Sequence, residues 1–218
     1  MLTYEDIRNH PVVRTLIEAG NQALAERGFT DHGHAHAGIT AKMAGDLLEQ
    51  LGYGERECEL ARMAGYMHDI GNAVNRDNHA VSGALLAYGI LRGENMAPDE
   101  AAAVMTAIGH HDEKTAAPVT PISAALILAD KSDVRRSRVR QDLARADYDM
   151  HDRVNFAVID SALTLEGDIL SLRLHIDTEI CAVIDYFEIF LGRMTLCRDA
   201  AAFLGKTFAL TINETRML

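Results

Sequence analysis

The stretch Ala64-Gly65-Tyr66-Met67-His68-Asp69-Ile70-Gly71 decides the fold of this chain. It ends a segment with apolar residues at helical spacing, which predicts a helix over 55–70 that stops at Gly71. Adjacent imidazole and carboxylate groups at a helix end can both reach inward. Both are ligand types that divalent metals accept. The stretch therefore predicts a metal-binding helix end.

Further histidines and aspartates lie on either side of this stretch. His32 and His36 are four residues apart, so on a helix they share one face at a separation of about 6 Å. Asp130 lies in an otherwise apolar run over 124–129, where a carboxylate is costly unless it is paired or bound to a metal. The series indicates a metal centre inside a helical bundle, and its members are His32, His34, His36, His68, Asp69, His79, His110, His111, Asp112 and Asp130.

The apolar spacing and the helix-stop residues predict a helical first part of the chain. Pro11 marks a new start or a kink in the first segment, and Gly28 ends it. Beyond residue 145 the pattern changes to candidate strands, with a turn at Glu166-Gly167-Asp168. The predicted helices cover 3–28, 34–51, 55–70, 79–91, 98–111 and 124–140, and the later segments are strands at 154–159, 169–176 and 206–212 around a long helix over 178–204.

We therefore expect a mostly α fold. Residues 1–145 form a helical metal-binding domain. Residues 146–218 form a small C-terminal α+β appendage of a β-hairpin, a long helix and a strand. The appendage is compatible with a dimerisation or regulatory role in a homodimer, and equally with a cap that buries one end of the bundle.

Composition narrows the function classes. The 218 residues carry a net charge of −11, and an acidic chain is a poor general binder of nucleic acid because such binding neutralises phosphates. The chain shows neither an export signal nor an apolar run of membrane-spanning length. Three cysteines without CxxC spacing argue against a disulfide framework. We expect a cytoplasmic protein that binds neither nucleic acid nor membranes.

The ordered motifs resemble the HD-domain superfamily of metal-dependent phosphohydrolases. The stretch 64–71 looks like the family's HD signature. His79-Ala80-Val81-Ser82-Gly83-Ala84 is similar to the H-x-x-x-G-A element of members with two metals. The segment 107–112 resembles the A-I-x-x-H element, and 128–133 resembles the closing A-D-K-x-D. The match covers roughly residues 30–140 and implies an HD-type helical bundle.

The resemblance implies a two-metal site. His36, His68, Asp69 and Asp130 would bind the first ion, with Asp69 as a bridge. His79 and His111 would complete the second site. His110 stays ambiguous, because families with paired histidines can use both. The ions would be Mn, Fe, Mg, Ni or Zn.

The implied reaction is hydrolysis of a phosphoester or phosphoanhydride by metal-activated water, in a nucleotide or another small phosphorylated molecule. A run of basic residues over 131–140 follows Asp130, and it is either a solvated helix face or a phosphate-binding arm. In the second interpretation Lys131, Arg135 and Arg138 offset the charge of substrate phosphates. His32 or His110 would protonate the leaving oxygen. We expect His34 to be exposed and inert.

Two alternatives stay open. Four histidines and two aspartates also resemble the ligands of the diiron oxygenases that share the HD fold, and histidine-rich sites suit iron. The protein could instead be a non-catalytic module that senses a nucleotide. The segment after His111 lacks the glycine-tyrosine-proline extension of the cyclic di-GMP phosphodiesterase branch, which argues against that substrate.

Overall fold

The computed structural model describes residues 1–140 and 149–218. Within these ranges the first part of the chain is helical, and strands occur only towards the C-terminus. The α-helices are Tyr4–Asn9 (α1), Pro11–Ala25 (α2), His34–Gln50 (α3), Glu55–Met67 (α4), His79–Gly93 (α5), Pro98–Gly109 (α6), Pro121–Ser132 (α7), Met150–Ala157 (α8) and Val183–Phe203 (α9). Short 3₁₀ helices occupy Ile70–Ala73 and Arg136–Arg138.

The C-terminal part contributes one four-stranded sheet with the order β1-β2-β3-β4. Its strands are Val158–Glu166 (β1), Ile169–Ile176 (β2), Thr207–Ile212 (β3) and Thr215–Arg216 (β4). β1 and β2 form the antiparallel hairpin, and β2 pairs in parallel with β3. A parallel pair needs a crossover connection, which α9 supplies. The prediction of a mostly α fold with a small α+β C-terminal part is confirmed.

Helix α7 lies at the centre of the molecule. Every residue from Ile122 to Ser132 is buried, and α7 packs against α3, α4, α6, α9 and β1. Its start is fixed by a capping box. The Thr120 hydroxyl accepts a hydrogen bond from the Ser123 backbone N–H, and the Ser123 hydroxyl accepts one from the Thr120 backbone N–H. This packing carries Asp130 into the interior.

A single hydrophobic cluster joins the helical part to the C-terminal part. It runs from Ile7 in α1 through α7 to Phe190 in α9 and Leu210 in β3. The expected boundary between residues 145 and 146 falls outside the described residues. In the described ranges no helix is both long and apolar enough to cross a bilayer.

Several predicted boundaries were wrong. Helix α7 ends at Ser132 rather than near Arg140, because the arginines beyond it bond to other backbone segments. Arg140 Nε, for example, donates to the Phe29 carbonyl oxygen at 2.8 Å. Helix α4 ends at Met67 rather than Ile70.

The C-terminal segments show similar differences. Residues 154–157 belong to α8, whose first turn is capped by the Asp149 side chain accepting from the Asp152 backbone N–H. Helix α9 begins at Val183 rather than Thr178. The strand β4 was not predicted, and it is only two residues long.

Candidate metal centre

Six side chains meet in one buried cluster, the histidine–aspartate cluster. They lie within α3, α5 and α7 or just after the ends of α4 and α6. All six were named from the sequence as metal ligands, and each is at most 8% exposed. The members are His36, His68, Asp69, His79, His111 and Asp130.

Close backbone packing places these residues. An added Cβ at Gly65 would lie 2.6 Å from the Ala41 Cα, so this glycine lets α4 approach α3. An added Cβ at Gly71 would lie 2.0 Å from the His79 carbonyl oxygen. The absence of side chains at these two positions therefore brings α4, α3 and α5 together around His68 and His79.

In each of the four imidazoles Nδ1 faces a hydrogen-bond acceptor and Nε2 faces the cluster. The Nδ1 atom of His68 lies 2.7 Å from the Gly65 carbonyl oxygen, and that of His111 lies 2.6 Å from the Ile108 carbonyl oxygen. His79 Nδ1 pairs with the Arg76 carbonyl oxygen at 2.9 Å. A carbonyl oxygen only accepts, so each of these Nδ1 atoms carries a proton, and Nε2 is the nitrogen that faces the cluster and can bind a metal.

His36 follows the same rule with a carboxylate partner. Its Nδ1 lies 2.7 Å from Asp133 Oδ2, and both side chains are buried. A carboxylate that holds the far nitrogen of a ligand histidine fixes its tautomer and makes Nε2 more basic. Asp133 was not among the predicted site residues, although it closes the A-D-K-x-D segment.

The Nε2 atoms approach one another in two pairs. His36 Nε2 lies 3.2 Å from His68 Nε2, and His79 Nε2 lies 3.2 Å from His111 Nε2. When both rings of a pair are neutral and carry their proton on Nδ1, their Nε2 lone pairs face each other, which is repulsive unless a cation lies between them. The donor set therefore fits bound divalent metals.

Asp69 connects the two pairs. Its Oδ2 lies 3.2 Å from His68 Nε2 and 3.8 Å from His36 Nε2. Its Oδ1 lies 3.4 Å from His79 Nε2 and 4.0 Å from His111 Nε2. One oxygen thus faces each pair, which is the arrangement of a bridging carboxylate.

Asp130 belongs to the first pair. Its Oδ1 lies 3.3 Å from His36 Nε2 and 3.7 Å from His68 Nε2. The donor atoms of His36, His68 and Asp130, and separately of His68, Asp69 and His111, are close enough together to hold a metal ion. Both groups are buried.

The charges in the cluster stabilise the ionised carboxylates. Burial alone raises the pKa of Asp69, but the adjacent His68 and the other imidazoles outweigh it and hold that pKa well below its usual range. Burial also opposes ionisation of Asp130, where Lys131 and His36 prevail and the pKa is well lowered. Both aspartates are therefore available as anionic ligands at neutral pH.

A cavity of about 130 Å³ opens onto the cluster. Its wall includes four members of the cluster and residues from α8 and α9, which lie in the C-terminal part. The described lining residues are Gly28, Phe29, Thr30, His32, Asp69, Arg76, His79, His111, Glu113, Asp130, Lys131, Arg138, Asp149, His151, Asp152, Asn155 and Arg193.

Two of the three predicted phosphate-binding residues line this cavity. Lys131 is buried, and its Nζ donates to Asp130 Oδ2 at 2.6 Å. Arg138 is also buried, and its guanidinium donates to the carbonyl oxygens of Asp31 and Asp133 at 3.1 and 3.0 Å. Arg135 instead pairs with Asp133 at 2.7 Å and lines a separate groove with Arg136.

The predicted proton donors differ in placement. His32 lines the cavity, and its Nδ1 lies 2.7 Å from the Thr30 carbonyl oxygen. Burial, reinforced by Arg138, lowers the pKa of His32 well below the usual value, so the ring is neutral at pH 7. The described cavity wall includes His111 but not His110. His34 is half-buried and pairs with Glu18 and Tyr66, each at 3.0 Å.

Several residues of the site were missed from the sequence. Asn72 donates to Asp69 Oδ1 at 2.8 Å, and Arg76 Nη1 lies 3.3 Å from His79 Nε2. Arg193 reaches the cavity from α9. Spacing from the HD stretch could have suggested Asn72, one turn beyond Asp69. Arg193 gives no such signal, because it is far away along the chain.

The comparison with known proteins agrees with this geometry. The chain is 29% identical to an uncharacterized protein of Methanocaldococcus jannaschii over 189 residues, which cover 77% of this chain and 72% of that protein. The family model described as HD domain matches residues 33–148, just over half of the chain. These residues include all six members of the histidine–aspartate cluster. The chain therefore belongs to the HD domain family.

Proposed function

We propose that this protein is a metal-dependent phosphohydrolase that cleaves a phosphoester or phosphoanhydride bond in a nucleotide or another small phosphorylated molecule. One observation carries the proposal. The two carboxylate oxygens of Asp69 face two separate pairs of imidazoles, and Asp69 lines a cavity whose wall also contains cationic side chains.

The ligand groups define where two divalent ions would bind. His36, His68 and Asp130 would hold one ion, His79 and His111 the other, with Asp69 shared between them. When bound, such ions supply Lewis-acid stabilisation of phosphoryl oxygens and make water acidic enough to act as a nucleophile at neutral pH. Asn72 keeps Asp69 in place through its bond to Oδ1.

The cationic side chains of the cavity would offset the charge of the phosphoryl group. Lys131 is buried beside Asp130, where its charge is poorly screened by solvent. Arg138 is fixed by two backbone carbonyls, so its guanidinium is already oriented before a substrate binds. Arg76 adds a third cation beside His79.

His32 would contribute a neutral ring with Nε2 as an acceptor, since its Nδ1 faces the Thr30 carbonyl. This suits it to orient a water molecule or to accept a proton better than to protonate a leaving oxygen. The proposal gives no role to His110 or Arg135.

The cavity size bears on the substrate. A volume of about 130 Å³ leaves room for a phosphoryl group beside the histidine–aspartate cluster. The wall of the cavity continues to residues of α8 and α9, which would face the remainder of a larger substrate such as a nucleotide.

The test combines metal analysis with an activity panel. The purified protein is analysed for bound metals and then assayed on phosphoesters and nucleotides with Mn²⁺, Mg²⁺, Fe²⁺ and Ni²⁺. We expect phosphate release that depends on an added divalent ion. Asp69→Asn should abolish release and bound metal, whereas the control Asp168→Asn, in the exposed pair with Lys206, should leave both unchanged.

Other outcomes would point elsewhere. Phosphate release at the wild-type rate by Asp69→Asn would contradict the proposal. Iron-dependent oxygen uptake without phosphate release would favour the oxygenase alternative. Tight binding of one nucleotide without turnover of any phosphoester would favour a sensing module.

A further inference from the structure

One carboxylate oxygen at the cavity lies between two cationic side chains from different helices. Glu113 Oε1 is 3.9 Å from Lys131 Nζ of α7 and accepts a hydrogen bond from Arg193 Nε of α9. All three residues line the cavity. Lys131 and Arg193 therefore already converge on one position for an anionic oxygen.

This position adjoins the histidine–aspartate cluster through Asp130. Asp130 Oδ1 faces His36 and His68, and Asp130 Oδ2 accepts from Lys131. Lys131 therefore contacts the oxygen of Asp130 that does not face His36 and His68. An anion held by Lys131 and Arg193 would lie beside the metal site without competing for its ligands.

The guanidinium of Arg193 is held in a fixed orientation. Its central carbon lies 4.3 Å from the ring centroid of Phe190, which is one turn away on α9 and fully buried. A planar guanidinium stacked on an aromatic ring presents its N–H edge sideways, which suits an oxyanion. Arg193 lies outside the residues that match the HD family model.

Glu113 is the least restrained of the three. Its side chain is 34% exposed, whereas that of Lys131 is 8% exposed. It lies in the segment between α6 and α7. An incoming phosphate would take over the pairs that this carboxylate makes with Lys131 and Arg193, so the exchange leaves neither cation without an anionic partner. A phosphate group brings more charge and more acceptor oxygens than one carboxylate.

We propose that Lys131 and Arg193 form an oxyanion subsite for a phosphate group of the substrate, and that Glu113 occupies this subsite until the phosphate displaces it. The inference rests on the proposed function for the nature of its ligand. It makes the C-terminal part a contributor to substrate binding, because Arg193 is supplied by α9.

The experiment measures the binding of inorganic phosphate to the metal-loaded protein by isothermal titration calorimetry. Glu113→Gln removes the competing charge and should bind phosphate about three- to tenfold more tightly. Arg193→Gln should bind it about tenfold more weakly, in line with the loss of one charge-assisted hydrogen bond. Arg193→Lys keeps the charge without the planar edge and should fall between wild type and Arg193→Gln.

Glu166→Gln is the matched control. Glu166 pairs with Arg173 at 2.9 Å on the exposed hairpin of β1 and β2, away from the cavity. This variant should bind phosphate like wild type. Thermal unfolding of every variant tests whether the fold is retained. Glu113→Ala is a second variant that removes the carboxylate from Lys131 and Arg193.

The outcomes separate this inference from the proposed function. Unchanged or weaker phosphate binding by both folded Glu113 variants would overturn the subsite. If phosphoesters are hydrolysed but Glu113→Gln and Arg193→Gln leave phosphate affinity and KM unchanged, the subsite is wrong and the proposed function stands. If no phosphoester is hydrolysed but the phosphate affinities change as expected, the subsite stands without the proposed function.

Discussion

Asp133 accepts a hydrogen bond from the ring nitrogen of His36 that points away from the metal cluster. The Nδ1 of His36 lies 2.7 Å from Asp133 Oδ2, while Nε2 of the same ring faces His68 and Asp130. Burial opposes ionisation of Asp133, but the contacts with His36, Arg138 and Arg135 lower its pKa far below the usual value. Asp133 is therefore an anion throughout the physiological pH range.

Replacing Asp133 tests this relationship. We expect Asp133→Ala to weaken metal binding about 10- to 100-fold, because an unrestrained His36 loses its tautomer and orientation. Asp133→Asn can still accept from Nδ1–H and should lose less. Metal titration of the metal-free protein measures both. Asp46→Asn, in a surface pair with Lys42, is the control; equal affinities for all variants would contradict the role of Asp133.

Gly71 should not tolerate a side chain. A methyl group there would lie 2.0 Å from the His79 carbonyl oxygen and 2.5 Å from the Gly83 nitrogen, both backbone atoms. We expect Gly71→Ala to destabilise the protein by about 1–3 kcal/mol or more and to lower metal content through displacement of His79. Thermal unfolding and metal analysis measure the two effects.

Gly89 offers a matched control for Gly71. It lies within α5, and nothing stands within 4 Å of an added Cβ. Gly89→Ala should therefore stabilise the protein by about 0.5–1 kcal/mol, because alanine is the better helix former. Equal destabilisation by both substitutions would show that close packing at Gly71 is not the cause.

The buried thiols should make the protein sensitive to alkali. Burial raises the pKa of Cys197 to about 12 and that of Cys181 to about 11. An unfolded thiol ionises near pH 8.5. Between about pH 8.5 and the folded pKa of each thiol, the unfolded chain has therefore lost a proton that the folded chain keeps. The stabilisation is complete below about pH 8.5 and is lost as the pH rises through the folded values.

Denaturant unfolding between pH 8 and 10.5 measures this loss, which should reach about 1.4 kcal/mol per pH unit for each thiol. In Cys197→Ala the dependence of the free energy of unfolding on pH should correspond to about one proton fewer released on unfolding. The native thiols should also resist alkylation at pH 8 and react fully in guanidinium chloride. Rapid alkylation of the native protein would contradict the assigned burial.

The ion pair between Arg56 and Glu100 should stabilise the contact of α4 with α6. Arg56 Nε and Nη2 donate to the two oxygens of Glu100 at 2.7 and 2.6 Å. The bond from Arg56 lowers the pKa of Glu100. We expect Glu100→Gln to cost about 1 kcal/mol at pH 7, which is the upper range for exposed pairs.

The pH dependence of this pair has a defined sign. Since the folded pKa of Glu100 lies below the unfolded value of about 4.3, the stabilisation is present above that pH and is lost as the pH falls through the folded value. The stabilities of wild type and Glu100→Gln should therefore converge at pH values below the folded pKa of Glu100. A difference that persists there would mean that the charge of Glu100 is not its source.

The sequence by itself determined the helical class of the first part and the residues of the metal cluster. Helix starts at Pro11 and Pro98 are local, because proline fixes its own backbone angle and lacks the N–H that a first turn leaves unpaired. The metal ligands can also be recognised in the sequence. A carboxylate within an apolar run, such as Asp130, is tolerated only with a cationic partner, and this predicts a charged or metal-binding site there.

The tertiary structure decided what lies around those residues. Helix α7 ends at Ser132 because Arg138 and Arg140 bond to carbonyls about a hundred residues earlier in the chain, those of Asp31 and Phe29. The long-range bond to Asp31 places Arg138 at the cavity, whereas Arg135 bonds to Asp133 and Ser137 and lines a separate groove. Arg193 meets Lys131 and Glu113 only because α9 packs on α7. Such contacts depend on which helix faces pack together in the folded protein, and the spacing of residues along the chain does not predict them.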